Sequence, residues 1–193
     1  MRPSGRTLVL LLAGVVLCGC GANKKEKDLQ LFIDNHVARI KPIEKAAALA
    51  SWEAAVTGDP NAYDLSSSLT LQIRRIYSNP DDFAFLQALK ESGDIDHDLL
   101  ARQLDVLYNA YLSNQIQPQL LERIVSLSTE IDQRFSTFRG TLDGEKVTDN
   151  EIKAILKEQT NRDIRKQAWE ASKQVGQAVA ADLIQLVKLR NEA

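Results

Sequence analysis

Three observations predict an all-α fold for residues 28–193. Apolar residues recur at three- and four-residue steps over nearly the whole stretch. Helix-starting chemistry stands between those stripes, and a single short segment carries the turn chemistry of a strand pair.

The first stripe, Ile33, Val37, Ile40, Ala47, Ala50 and Ala54, predicts a helix over residues 28–57, with a kink or break at Pro42, where a backbone donor is lost. Gly58-Asp59-Pro60 ends it and opens the next, whose stripe is Leu65, Leu69, Ile73 and Ile76. Asn79-Pro80-Asp81-Asp82 supplies a capping side chain, a proline for the first turn and acids for the positive end of the helix dipole. That third helix closes near Gly93. Asp96 is expected to cap a fourth helix with stripe Leu100, Leu104, Leu107 and Tyr111, and Pro118 to open a fifth through Leu121, Ile124, Leu127, Ile131, Phe135 and Phe138. Between Thr141 and Val147, Asp143-Gly144 reads as either a short β-hairpin or a loop. Thr148-Asp149-Asn150-Glu151 is a capping-box pattern for a short helix with Ile152, Ile155 and Leu156. Asn161 is expected to cap the last helix, striped by Ile164, Ala168, Ala171, Val175, Val179, Leu183 and Leu186. Helix-forming residues continue past Leu189 without glycine or proline, which reads as a helix cut mid-pattern, and its stripe is expected to lack a cover in this chain alone.

Residues 1–19 read as a lipoprotein signal peptide. Arg2 and Arg6 form a basic start, residues 8–17 are apolar, and Leu17-Cys18-Gly19-Cys20 is a lipobox with small Gly19 before the acceptor Cys20. Cleavage is therefore expected between Gly19 and Cys20, with the lipid on Cys20. Cys18 is the weaker acceptor because Leu17 precedes it. The apolar run is shorter than the ~20 residues a spanning helix needs, which argues against an uncleaved anchor. Residues 20–27, with Lys24, Lys25 and Lys27, read as a solvated tether. The expected location is the bacterial cell envelope, lipid-anchored to the outer membrane facing the periplasm or to the outer surface. With one cysteine removed and the other acylated, no disulfide supports the fold.

Without Arg2 and Arg6, 22 of the 24 basic residues remain against 26 acidic ones, a formal charge of −4. Charges of both signs are well mixed, so no nucleic-acid footprint is present.

Candidate chemistry is sparse. Asp94, Asp96 and Asp98 around His97 suggest a cation loop, but a calcium loop needs glycine where Leu99 stands and a bidentate glutamate where Asp105 stands. Helix capping accounts for them. His36 and His97 are too far apart in sequence for a zinc-binding helix and read as structural or surface residues. Ser66, Ser67 and Ser68 lie in a helical pattern and not in a nucleophile elbow. Trp52 and Trp169 read as interhelical anchors. No catalytic or metal-ligating residue is assigned in these 193 residues.

Four segments carry a family resemblance: ASWEAAVTG (50–58), VLYNAYLSNQI (106–116), FSTFRGTLDGEKVTDNEI (135–152) and RDIRKQAWEASKQVGQAVAADLIQLVKLRNEA (162–193). Over residues 29–193 the chain resembles the N-terminal part of the peptidyl-dipeptidase A family, the angiotensin-converting-enzyme-like zinc metallopeptidases, in their bacterial form. The resemblance implies a multi-helix lid and cleft wall belonging to a larger helical peptidase. It also implies a zinc cofactor and peptide substrates cut to release C-terminal dipeptides. The family's His-Glu-x-x-His helix lies downstream of this block and does not occur here. Arg165 and Lys173 fall where relatives hold an anion, but Trp169-Glu170-Ala171-Ser172-Lys173 lacks the arginine such a site uses, so it is not carried over. Two alternatives remain open: a non-catalytic helical binding or scaffold lipoprotein, and a related zinc oligopeptidase.

Overall fold

The computed structural model describes residues 20–193, and side chains from residue 24 onward. The signal-peptide reading and its Gly19–Cys20 cut therefore lie outside the described side chains. Seven helices and one two-stranded sheet follow in order: α1 (Cys20–Thr57), α2 (Pro60–Tyr77), α3 (Pro80–Ser92), α4 (Asp98–Leu112), α5 (Pro118–Thr137), β1 (Gly140–Leu142), β2 (Glu145–Val147), α6 (Asp149–Glu158) and α7 (Arg162–Glu192). The fold is all-α, with a minimal antiparallel hairpin. Among the described residues, no helix is long and apolar enough to cross a membrane.

Local chemistry sets most boundaries. Gly58 takes φ 71° and Asp59 accepts from the amide of Asn61, turning the chain from α1 into α2. Asn79 accepts from the amides of Asp81 and Asp82, and Gly93 ends α3 in the left-handed region at φ 67°. Thr148 and Glu151 close the reciprocal capping box of α6, and Asn161 caps α7. The segment left open as hairpin or loop is a hairpin, with Gly140 opposite Val147 and Leu142 opposite Glu145. Asp143 and Gly144 both take positive φ, 51° and 87°, as a two-residue hairpin turn with right-handed strand twist requires.

Several expectations are corrected. Residues 20–27 are not a tether: they are the first turns of α1. Lys25 pairs with Asp94, and a carboxylate oxygen of Glu26 accepts from the amides of Asp96 and His97 at 3.0 and 2.9 Å. These contacts hold the start of α1 against the loop before α4. Pro42 does not break α1, which continues through it. His97, and not Asp96, occupies the cap of α4 and accepts from the Leu100 amide, so the helix begins at Asp98, one residue later than an Asp96 cap would place it. On α1 the buried face runs Leu29, Ile33, His36, Ile40, Ala47, Ala50 and Ala54, so His36 takes the inward position expected of Val37. On α2 the buried residues are Ala62 and Tyr63, while Leu65 faces out.

Among the described residues, four small apolar cores lie along the chain. Leu29, Ile33, Leu86, Leu89, Leu100, Leu104 and Tyr111 join the N-terminal half of α1 to α3 and α4. Ala54, Ala62 and Tyr63 join its C-terminal half to α2. Ile124 and Ile131 of α5 meet Val179, Leu186 and Leu189 of α7. Ile152 meets Ala168 and Ala171, tying α6 to α7. Each fully buried leucine is worth about 1.5–3 kcal/mol relative to exposure, so these clusters hold the layers together one pair at a time. The stripe of α7 is therefore not bare: α5 covers Val179 and Leu186, and of the expected stripe Leu183 faces out.

Trp52 and Trp169 are also not anchors; they are 70% and 53% exposed. Trp52 lies two residues from both Ala50 and Ala54, which places it across α1 from the face those alanines bury. Trp169 follows buried Ala168 but points away from Ala171, and Lys173 lies over its ring at 5.4 Å.

Candidate functional site

Two polar arrangements stand out against this apolar framework. The first is buried. His36 of α1 lies with Nδ1 3.0 Å from the hydroxyl of Tyr111 on α4. Tyr111 donates its hydrogen to Asp82 of α3 at 3.2 Å, and Arg39 donates to the same carboxylate oxygen at 2.9 Å. A tyrosine has one hydroxyl hydrogen, so its oxygen must accept from His36, which fixes the Nδ1–H tautomer. Phe32 stacks on the imidazole, and Tyr77 lies 5.2 Å from it between ring centroids.

Burial sets the electrostatics of this cluster. It lowers the pKa of His36 most, with the charge of Arg39 adding to the effect and Asp82 and Glu44 opposing it. Burial likewise raises Tyr111 well above an ordinary phenol, helped by the neighbouring Asp82 charge, and raises Tyr77. The hydrogen bond to Asp82 raises Arg39 further. A neutral imidazole, a neutral phenol and one ion pair at the rim satisfy one another, and this cluster fastens α1, α3 and α4.

The second arrangement is open. Along α5, from Ile124 to Ser136, runs a groove of about 430 Å³, walled by residues of α1 and α2. From α2 it receives Ser66, Thr70 and Arg74, each one helical turn from the last; from α5, Ser128, Asp132 and Ser136 at the same spacing. Arg190 of α7 completes it. Arg74 donates to Asn114 at 3.3 Å and Arg190 to Ser128 at 3.4 Å, both long bonds. Burial raises the pKa of Asp132, with the charge of Arg190 opposing. Beyond the arginines a second hollow of about 420 Å³ is also lined by Arg74, Ile124 and Arg190. Such a surface can hold an oxygen-rich, anionic ligand.

The residues singled out from sequence do not converge. Asp94 pairs with Lys25, Asp96 offers its amide to Glu26, Asp98 opens α4 and His97 caps it. Ser66 is the exception, since its Oγ lies 2.7 Å from that of Ser51 at the groove wall; Ser67 and Ser68 do not line it. Arg165 lies with Arg162, Lys166 and Trp169 around a shallow hollow on α7, apart from the groove. Arg74, Asp132 and Arg190 were missed. Polar residues at four-residue steps on α2 and α5 are the signal that marks them, visible once those stripes are set beside the apolar ones.

No protein-family model, curated protein or solved structure matches the chain.

Proposed function

We propose that this chain is the helical N-terminal portion of a membrane-anchored zinc metallopeptidase resembling peptidyl-dipeptidase A, contributing lid and cleft wall while zinc and its ligands are supplied by a downstream His-Glu-x-x-His segment. The observation that supports it is the apolar surface left without partners on the two longest helices. Leu49, Trp52 and Val56 line the outside of α1, and Leu183, Ile184 and Val187 the outside of α7. Neighbouring apolar side chains on one helix face are the surface that further helices cover. Three of the four segments that carry the resemblance include a stretch of α1, α4 or α7, and the fourth spans the end of α5, the hairpin and the start of α6.

The test compares this chain with the product of its full reading frame. The chain alone binds no stoichiometric zinc and cuts no peptide, because two histidines on separate elements cannot supply the three protein ligands of a catalytic site. The longer product, carrying the downstream motif, releases C-terminal dipeptides and is stopped by a chelator. Endopeptidase cleavage without dipeptide release reassigns the chain to a related zinc oligopeptidase, and an inert long product defeats the peptidase reading. A second reading, a non-catalytic helical binding lipoprotein, is favoured by the groove along α5, which lies within this chain.

A further inference from the structure

We propose that the groove between Arg74 and Arg190 binds an anionic carbohydrate: a polyol carrying a phosphate or carboxylate group. The inference deepens the binding-protein reading and does not depend on the peptidase one, because every residue it uses is in this chain.

The argument for an anion comes from how the arginines are partnered. Arg39, Arg75 and Arg134 each pair with a carboxylate, of Asp82, Glu122 and Asp182 respectively. Arg74 and Arg190 have no carboxylate within ion-pair distance among the described residues, and their hydrogen bonds go to a neutral amide and a neutral hydroxyl. Arg102, Arg123, Arg139, Arg162 and Arg165 also lack an ion-pair carboxylate among the described residues, but like Arg190 they are exposed, whereas Arg74 is half-buried. The guanidinium of Arg74, drawn partly out of water without an ion-pair partner, carries a desolvation cost that a bound oxyanion offsets, while Arg190 is exposed and its charge already acts on Asp132. Because both arginines line the groove and the hollow beyond it, one oxyanion can be met from two sides.

The argument for a polyol comes from the walls. Ser51, Ser66, Thr70 and Ser128 present hydroxyls, and either oxygen of the Ser51–Ser66 pair can donate to the other. That leaves the second hydroxyl hydrogen for a ligand. Asp132 is acceptor-only when ionised, which suits it to sugar hydroxyls and disfavours a second negative group beside it. The site thus has polarity: the oxyanion lies toward Arg74, where the groove meets the hollow beyond it, and the hydroxyl-bearing carbons toward Asp132 and Ser136. A volume near 430 Å³ is within the range of small-ligand sites.

The experiment is calorimetric titration of the full chain with glucose 6-phosphate, glucuronate, glucose and inorganic phosphate. Saturable binding of at least one charged sugar, about tenfold or more tighter than both glucose and inorganic phosphate, is expected. The preference between phosphate and carboxylate identifies the oxyanion. Arg190→Gln weakens that binding about tenfold or more with an unchanged melting temperature, since Arg190 is exposed. Arg123→Gln, on α5 away from the groove, leaves it unchanged. Arg74→Gln matches Arg190→Gln if it folds; if it does not, Arg190→Gln decides alone. No saturable binding, equal affinity for glucose, equal affinity for inorganic phosphate, or an Arg190→Gln protein that binds as the wild type does would each overturn the assignment.

Discussion

The imidazole of His36 and the phenol of Tyr111, 75 residues apart in sequence, meet at 3.0 Å inside the first core. The phenol relays that contact to Asp82, so three helices share one chain of hydrogen bonds.

Tyr111→Phe keeps the ring and removes the relay. His36 then holds a buried N–H without its acceptor, and Asp82 keeps only Arg39. Because an orphaned buried donor costs about 1–3 kcal/mol, the variant should melt several degrees lower with its helical circular dichroism intact. Tyr111→Ala, which also empties a fully buried site, should cost more, about 3–5 kcal/mol.

His36 makes stability fall in mild acid. Its folded pKa lies below the unfolded value of 6.5, so the unfolded chain takes up the proton first as pH falls. The stabilisation is complete above pH 6.5 and is lost as pH drops from there toward the folded pKa. Arg39 acts in the same direction as burial, and Asp82 and Glu44 moderate it. Denaturant titrations between pH 7.5 and 5 should show a smaller acid loss for His36→Gln than for the wild type, although the variant starts about 1–2 kcal/mol less stable. Equal slopes would remove His36 as the source.

Gly140→Ala should be destabilising by about 1–3 kcal/mol through overpacking. Gly140 begins β1, and a Cβ there would lie 2.9 Å from the backbone oxygen of Ala171 on α7. Only backbone movement relieves that contact. Thermal melts, together with faster amide exchange at Thr141, whose N–H donates to Gln174 on α7, would report it.

Lipid labelling tests the N-terminal reading. Cells expressing the wild-type precursor should incorporate labelled fatty acid into this protein, whereas Cys20→Ser should lose the label and Cys18→Ser should keep it. Label retained in Cys20→Ser would rule out the lipobox assignment.

Helix starts were the most legible feature because each is written in a few adjacent residues: Asn79 with Pro80, Thr148 with Glu151, Asn161. Asp143-Gly144 had the residues a hairpin turn needs, but two three-residue strands are too short for a sequence alternation to decide the matter. Inward faces were legible where a helix turns one stripe into a single core, as on α4, whose buried Leu100, Leu104 and Tyr111 all enter the first core. They failed on α2, which lies between α1 and α5 and divides its contacts. They failed too for Trp52 and Trp169, where size and hydrophobicity suggested burial but helical phase turned both outward. The His36 cluster and the groove were illegible for a different reason: each gathers residues from three or four helices, and no local pattern records which helices become neighbours.

The first turns of α1 have a mechanical consequence. Cys20 and Glu26 lie on the same helix, about 9 Å apart along its axis, and Glu26 is bonded to the entrance of α4. A lipid on Cys20 would therefore join the bilayer to the folded body by a stalk instead of a leash. Rotation of the body against the membrane would be transmitted through α1, and the side facing the lipid headgroups would be set by the geometry of that one helix.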